Sequence, residues 1–277
     1  MTTKRILNTH YLKLILWVII PVVLFSLQSC DSESGAKNEK NNPQSADLNE
    51  QPQAMELSVD QEAVDIFKGS MDYLHSLQKF SVQAQSTLED INLSGHRVDY
   101  EIASTVVLQR PNKLRTERSG DLYNQVFFYN GKTLTLYNPV QKVYATEAAP
   151  GTIDEMFLFA YDKFGISAPV SDLIYSNAFE LLIEDVSYAE VIGLEMIGDI
   201  PCVHLLFSRP DVDFQIWIAD EGTPYPYKYL VTDISTPELL AFSTIMRNWN
   251  ENPKITDETF NFEAPAGTFK IDFLKVN

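Results

Sequence analysis

The chain has 277 residues, 38 acidic against 21 basic, for a formal charge of −17, and 45% of its residues are apolar. That apolar content supports a sizeable core, and the negative balance excludes nucleic acid and anionic membrane surfaces as partners of the folded part. No Gly-x-Ser-x-Gly elbow, Gly-rich phosphate loop or His-Glu-x-x-His helix is present, so the commonest hydrolase, nucleotide and zinc-protease signatures are missing. Lys4, Arg5 and Lys13 precede an apolar run from Leu14 to Leu27, with Ser29 before Cys30. These are the parts of a secretory signal, and an apolar core of about 14 residues falls short of the roughly 20 that span a bilayer. Residues 1–29 therefore read as a signal peptide. Residues 30–56 are mostly Asn, Gln, Ser, Glu, Lys and Ala, with Leu48 and Met55 as the larger apolar residues; such a stretch cannot offset its ordering entropy and reads as a disordered tether. Without the signal, 18 basic residues face 38 acidic ones, a charge of −20, and Cys202 is the sole cysteine beside Cys30. Stability must then come from packing and not from an intrachain disulfide.

Residues 57–277 have the size of one large β-rich domain. Ser58 with Gln61 resembles a capping box, and Ala63, Ile66, Phe67, Ser70, Met71, Leu74 and Leu77 recur at helical spacing, predicting a helix over 59–79. From Phe80 the period becomes two, through Val82 and Ala84 and again from Tyr100 to Leu108, after a turn near Ser94-Gly95. Strands over 114–118, 125–129 and 132–137 follow, the last two joined by Asn130-Gly131 as a two-residue hairpin turn. Thr152 with Glu155 opens a second helix over 152–164 that Gly165 closes, and a third spans about 177–184. Strands return over 188–197, 201–208, 214–219, 227–234, 241–248 and 260–262. Helix, sheet, helices, sheet, with hairpin-length links, predicts an antiparallel α+β fold.

Three resemblances sharpen this reading. Leu27-Gln28-Ser29-Cys30 resembles a bacterial lipobox, which implies a lipid anchor on Cys30 and a periplasm-facing protein tethered to one of the envelope membranes; Asp31 resembles an inner-membrane retention signal, and the choice of membrane stays open. Gln109-Arg110-Pro111-Asn112-Lys113-Leu114, followed by Asn130-Gly131-Lys132-Thr133-Leu134-Thr135-Leu136, resembles the lipoprotein carriers of the LolA family. Over about Asp60 to Ile271 the chain is similar to a family of predicted periplasmic proteins, DUF2092, through Ala149-Pro150-Gly151-Thr152, Ile200-Pro201-Cys202-Val203-His204-Leu205 and Asp213-Phe214-Gln215-Ile216-Trp217. The resemblance implies a curved, incomplete antiparallel β-barrel with helices plugging its open side over a greasy cavity. It further implies that Arg110 holds a helical lid through backbone carbonyls, and that lipid or a lipoprotein's acyl chains are the ligand, with a role in lipid or lipoprotein trafficking. The same fold serves envelope-stress regulators, so an envelope protein partner and a filled core form the alternative.

Phe128, Leu134, Leu136, Leu206, Phe214, Ile216 and Trp217, with Met156, Phe157 and Phe159 of the second helix, are candidates for a cavity lining or equally for a dry core. Cys202 and His204 lie two apart on one strand face; a nucleophile–base pair is conceivable, and an inert core pair is favoured. Asp211, Asp213, Asp220 and Glu221 lack the spacing of a calcium loop. No metal, cofactor or catalytic residue is expected.

Overall fold

The computed structural model describes residues 58–122, 124–166 and 170–274. The signal peptide, Cys30 and the tether lie outside them.

Helix α1, Gln61–Ser76, starts where Asp60 accepts the Glu62 N–H at 2.9 Å. Ser58, expected as the cap, instead offers its carbonyl to Ala189 N–H at 3.2 Å. The chain at Val59 is extended alongside Ala189, which delays the helix by two residues. Two long strands follow, β1 (Lys79–Ile91) and β2 (Arg97–Gln109), then β3 (Lys113–Gly120), β4 (Asn124–Tyr129), β5 (Thr133–Asn138) and β6 (Val143–Ala148). Helix α2 (Ile153–Phe164), a short 3-10 turn (Ser171–Leu173) and helix α3 (Ala178–Ile183) interrupt the meander. It resumes with β7 (Tyr188–Ile197), β8 (Ile200–Ser208), β9 (Val212–Ala219), β10 (Pro226–Asp233) and β11 (Ala241–Asn250), and a last short strand, β12 (Phe269–Lys270), comes near the end.

Among the described residues all twelve strands form one sheet in the order β12-β6-β5-β4-β3-β2-β1-β11-β10-β9-β8-β7. Every strand pairing is antiparallel except β12 on β6, and β7 and β12 end the sheet without pairing to each other, so the barrel is incomplete. The link that joins its halves is β1 on β11, with Ala84 opposite Met246 and Ser86 opposite Thr244. The fold is thus the expected α+β curved sheet with helices on one face.

Three local readings change. The β4–β5 turn is centred on Gly131 and Lys132, one residue later than expected: Asn130 N–H reaches Thr133 O, and Asn130 Oδ1 accepts the Lys132 and Thr133 N–H groups at 3.0 Å. Gly131, at φ 84°, supplies the positive dihedral that the first central position takes. Residues 260–262 form no strand; a 3-10 turn, Asp257–Thr259, precedes them, and the Phe262 ring packs on Phe128, Tyr137 and Tyr144 at 4.9–5.4 Å. Strand β6 carried no strong alternation of its own and is held by its register with β5.

The core lies between the sheet's inner face and the helices. Helix α1 buries Ala63, Phe67, Ser70, Met71 and Leu74, one stripe at helical spacing. Phe67 inserts among Phe179, Phe207 and Phe214 with ring centroids 5.1–5.8 Å apart, and Ser70 donates to Pro224 O at 2.7 Å. Over β7 to β10 the face is covered by α1 and α3, with Ala189, Leu205, Phe207, Phe214, Ile216, Tyr229 and Val231 all buried.

Candidate ligand cavity

Over β1 to β3 and β11 the packing is incomplete. Successive inward positions form rows across the strands. One row, Phe80–Leu108–Leu114–Tyr129–Leu134, is buried and apolar but for the Tyr129 hydroxyl. The next runs Val82–Val106–Thr116–Phe127–Leu136, and the third Met246–Ala84–Ser104–Arg118–Gln125. Above these rows lies a cavity of about 100 Å³, roofed by Phe157 and Ala160 of α2 and by Ile166, Val170, Ser171, Leu173 and Ile174. Leu74 and Trp249 close its sides.

The roof is pinned at few points. Thr152 Oγ1 accepts the Glu155 N–H at 3.2 Å and donates to Glu155 Oε2 at 2.9 Å, the reciprocal cap read from the sequence, and Gly165 ends α2 at φ 63°. Tyr129 OH lies against the carbonyls of Pro150 and Thr152, and burial, aided by Glu155, pushes its phenol up to about 12. Phe157 meets Tyr175 with ring centroids 5.6 Å apart, and Asp154 accepts from the Ser176 N–H and hydroxyl. Arg110 Nη1 donates to Ile174 O at 3.0 Å, while Nε and Nη2 are buried without a hydrogen bond. Burial holds the Arg110 guanidinium below its ordinary value, and Asp154 partly restores it. Val170 stands at φ 68°, a left-handed conformation that costs a β-branched residue on the order of 1–3 kcal/mol.

Beside the roof turn, Asp172, Arg209 and Tyr229 form a buried polar cluster. Arg209 Nη1 donates to Leu181 O at 3.1 Å, but Asp172 Oδ2, Arg209 Nε and Tyr229 OH find no hydrogen-bond partner. Burial pushes the Asp172 carboxyl up to about 7, against the pull of Arg209, and raises the Tyr229 phenol well above its ordinary value.

The structure sorts the ten apolar candidates. Phe157 lines the cavity. Leu134, Leu136, Met156, Phe214 and Ile216 share its face of the molecule but belong to the packed core around it. Phe159 turns aside, edge-on to Phe164 at 5.6 Å with Lys163 Nζ 4.8 Å above its ring. Phe128, Leu206 and Trp217 are corrected: they point to the outer face, because successive strand residues alternate sides. Leu206 pairs with Gln215, and Phe128 packs under Arg115 at 4.9 Å. Trp217 stacks on His204 at 4.0 Å beneath Lys228 and donates to Glu195 Oε2 at 2.8 Å. Phe127 lines the cavity instead of Phe128. Hairpin parity carried that signal: any two-residue turn after residue 129 or 130 pairs Phe127, not Phe128, with the even-numbered leucines. Ile102, Leu114, Met246, Trp249 and Arg118, also in the lining, required the face of each strand to be known.

Cys202 and His204 are both on the outer face. His204 Nδ1 lies 3.1 Å from Glu195 Oε1 and Nε2 2.8 Å from Gln215 Oε1; burial pushes the Cys202 thiol up to about 11, away from the thiolate a nucleophile needs. Asp211 precedes β9 and Asp213 is its second residue, while Asp220 and Glu221 follow its end, so one strand length separates the two acidic pairs.

A family model described as "Predicted periplasmic protein (DUF2092)" matches residues 63–274. The chain belongs to that family. This DUF2092 protein therefore takes the family's periplasmic side of the envelope as its compartment. None of the curated proteins matches it. Among solved structures it is similar to LprF from Mycobacterium bovis, at 14% identity over 72% of this chain and 98% of that one with a TM-score of 0.46. It is similar also to the lipoprotein LppX from Mycobacterium tuberculosis, at 15% identity over 71% and 100% with a TM-score of 0.41. A LolA superfamily protein from Nitrosomonas europaea is a third likeness, at 10% identity over 72% and 97% with a TM-score of 0.33.

Proposed function

We propose that this DUF2092 protein is a lipid-anchored binder of one hydrophobic ligand, a lipid or a lipoprotein's acyl chains, held between the inner face of β1 to β3 and the roof formed by α2 and residues 170–174. In this reading the lipid on Cys30 and the 30–56 tether keep the domain at an envelope membrane, where it takes part in lipid or lipoprotein trafficking. One observation carries the reading. The helix-covered face is filled over β8 and β9 by the rings of Phe67, Phe179, Phe207 and Phe214 and left with a cavity of about 100 Å³ over β1 to β3. At about 24 cal/mol per Å³, such a void forfeits about 2 kcal/mol of packing, which a purely structural core has reason to recover.

The cavity is far smaller than the roughly 300–1,000 Å³ of sites for drug-sized ligands. Entry of an acyl chain therefore displaces the roof, exchanging roof contacts for chain contacts at about 0.8 kcal/mol per buried methylene. A fluorescent sixteen-carbon fatty acid titrated onto the unlipidated chain from Asp31 to Asn277 tests this. Saturable uptake is expected for the native protein and none for Phe157→Asp, which sets a carboxylate under the roof. Undiminished uptake by folded Phe157→Asp would remove α2 from the site.

A further inference from the structure

The cavity lining has a polar corner. Its charged member is Arg118, the sole charged side chain among the described residues that line the cavity. Arg118 occupies an inward position of β3, two residues from Thr116 on the same face and directly opposite Ser104 of β2. Gln125, across from it on β4, accepts from Arg118 Nη2 at 3.3 Å. Thr116 and Ser104 also line the cavity, so their hydroxyls and the guanidinium face one space; of the other two lining hydroxyls, Ser86 donates to Thr244 at 2.9 Å and Ser171 belongs to the roof. The opposite wall, from Phe80 to Leu114 and on to Phe157, is apolar.

A simple acyl pocket needs no such corner: a cation and two hydroxyls on the inner face give up packing that aliphatic side chains would supply. The corner fits an oxyanion. A guanidinium presents a planar fork of donors to a carboxylate or phosphate, and hydroxyls complete the acceptor's remaining lone pairs. Charge makes the placement more telling. A mature chain at −20 repels anions at long range, so an anionic head is favoured only where a local cation outweighs the surrounding field.

We infer that the ligand is an anionic amphiphile, its carboxylate or phosphate head at Arg118, Thr116 and Ser104 and its chain directed along Phe80 and Leu114 toward Phe157. This rests on the hydrophobic-ligand reading and narrows it. Fatty acids and phosphate-headed lipids share the required chemistry, and the probes below separate them.

The test is a binding titration of the unlipidated chain from Asp31 with three sixteen-carbon probes: palmitic acid, palmitoyl lysophosphatidic acid and palmitic acid methyl ester, whose head is uncharged. The acid, the phosphate or both are expected to bind at least tenfold more tightly than the ester, the size of a charge-assisted hydrogen bond. Whichever anion binds more tightly names the head group. Arg118→Gln should bring anion affinity down to that of the ester and leave the ester unchanged, whereas Arg118→Lys should keep part of the preference. Equal binding of all three probes by the native protein would overturn the inference while leaving a hydrophobic site intact. Binding of none would overturn both readings. Because the native protein alone distinguishes these results, a misfolded Arg118→Gln variant would not shelter the inference.

Discussion

Asp172 shows how much a single side chain can say about this fold. The residue is 8% exposed, beside Arg209 and Tyr229, and burial raises its carboxyl from 3.8 to about 7. A raised acid binds its proton more tightly in the folded state than in the unfolded one. Its stabilising contribution is therefore complete below the ordinary carboxylate value and is lost as pH rises through about 7. The carboxylates held low by hydrogen bonds, Glu101, Glu195 and Glu251, act in the opposite sense at lower pH. Denaturant titrations between about pH 5.5 and 7.5 should show native stability falling with pH, and Asp172→Asn should flatten that slope; equal slopes in the two proteins would contradict the assignment. Phe67, fully buried among three phenylalanine rings, should cost about 3–5 kcal/mol as Phe67→Ala in the same assay. Legibility was uneven at this scale. The helical stripe made Phe67 and Phe157 visible as apolar anchors, and the Gln109 to Leu114 motif pointed to Arg110. Trp217 looked like Ile216 in composition, and only their alternation on β9 put one inside and the other against His204.

The roof is the element that must move if the cavity is to fill. Helix α2 was readable because both of its ends are chemical signals: Thr152 and Glu155 cap it reciprocally, and Gly165 takes the left-handed residue that stops it. Helix α1 was readable in its apolar face but not in its start, since the bridge from Val59 to Ala189 is a tertiary contact that overrides local capping. The connection after α2 is held by Arg110 on Ile174 O and by Asp154 on Ser176. Arg110→Ala leaves the Ile174 carbonyl unpaired, a loss of about 1–3 kcal/mol. Hydrogen exchange at the Leu173, Ile174 and Tyr175 amides, which donate within this turn, should accelerate roughly tenfold or more, with β8 and β9 unaffected. Acceleration spread over the whole sheet would mean that Arg110 supports the fold at large and not the roof.

At the scale of the molecule, one open sheet serves two purposes: β7 to β10 with α1 and α3 form a packed body, and β1 to β3 with β11 form a cradle that α2 covers incompletely. The hairpins that build each half were legible from period-two runs and turn residues. The seam of β1 on β11 was not, because its partners lie some 160 positions apart, as Ser86 and Thr244 do, and such pairing leaves no local pattern. The cavity lies at that seam, so its lining was the least legible part of the site. The central claim is that the cradle holds a hydrophobic ligand, and native mass spectrometry with lipid extraction, on the 58–277 domain purified from the envelope, addresses it without a guess at ligand identity. Co-purified lipid or acylated peptide at up to one per chain is the result predicted here; a domain that emerges empty and ignores added fatty acids would contradict it and leave the roof as a permanent part of the core.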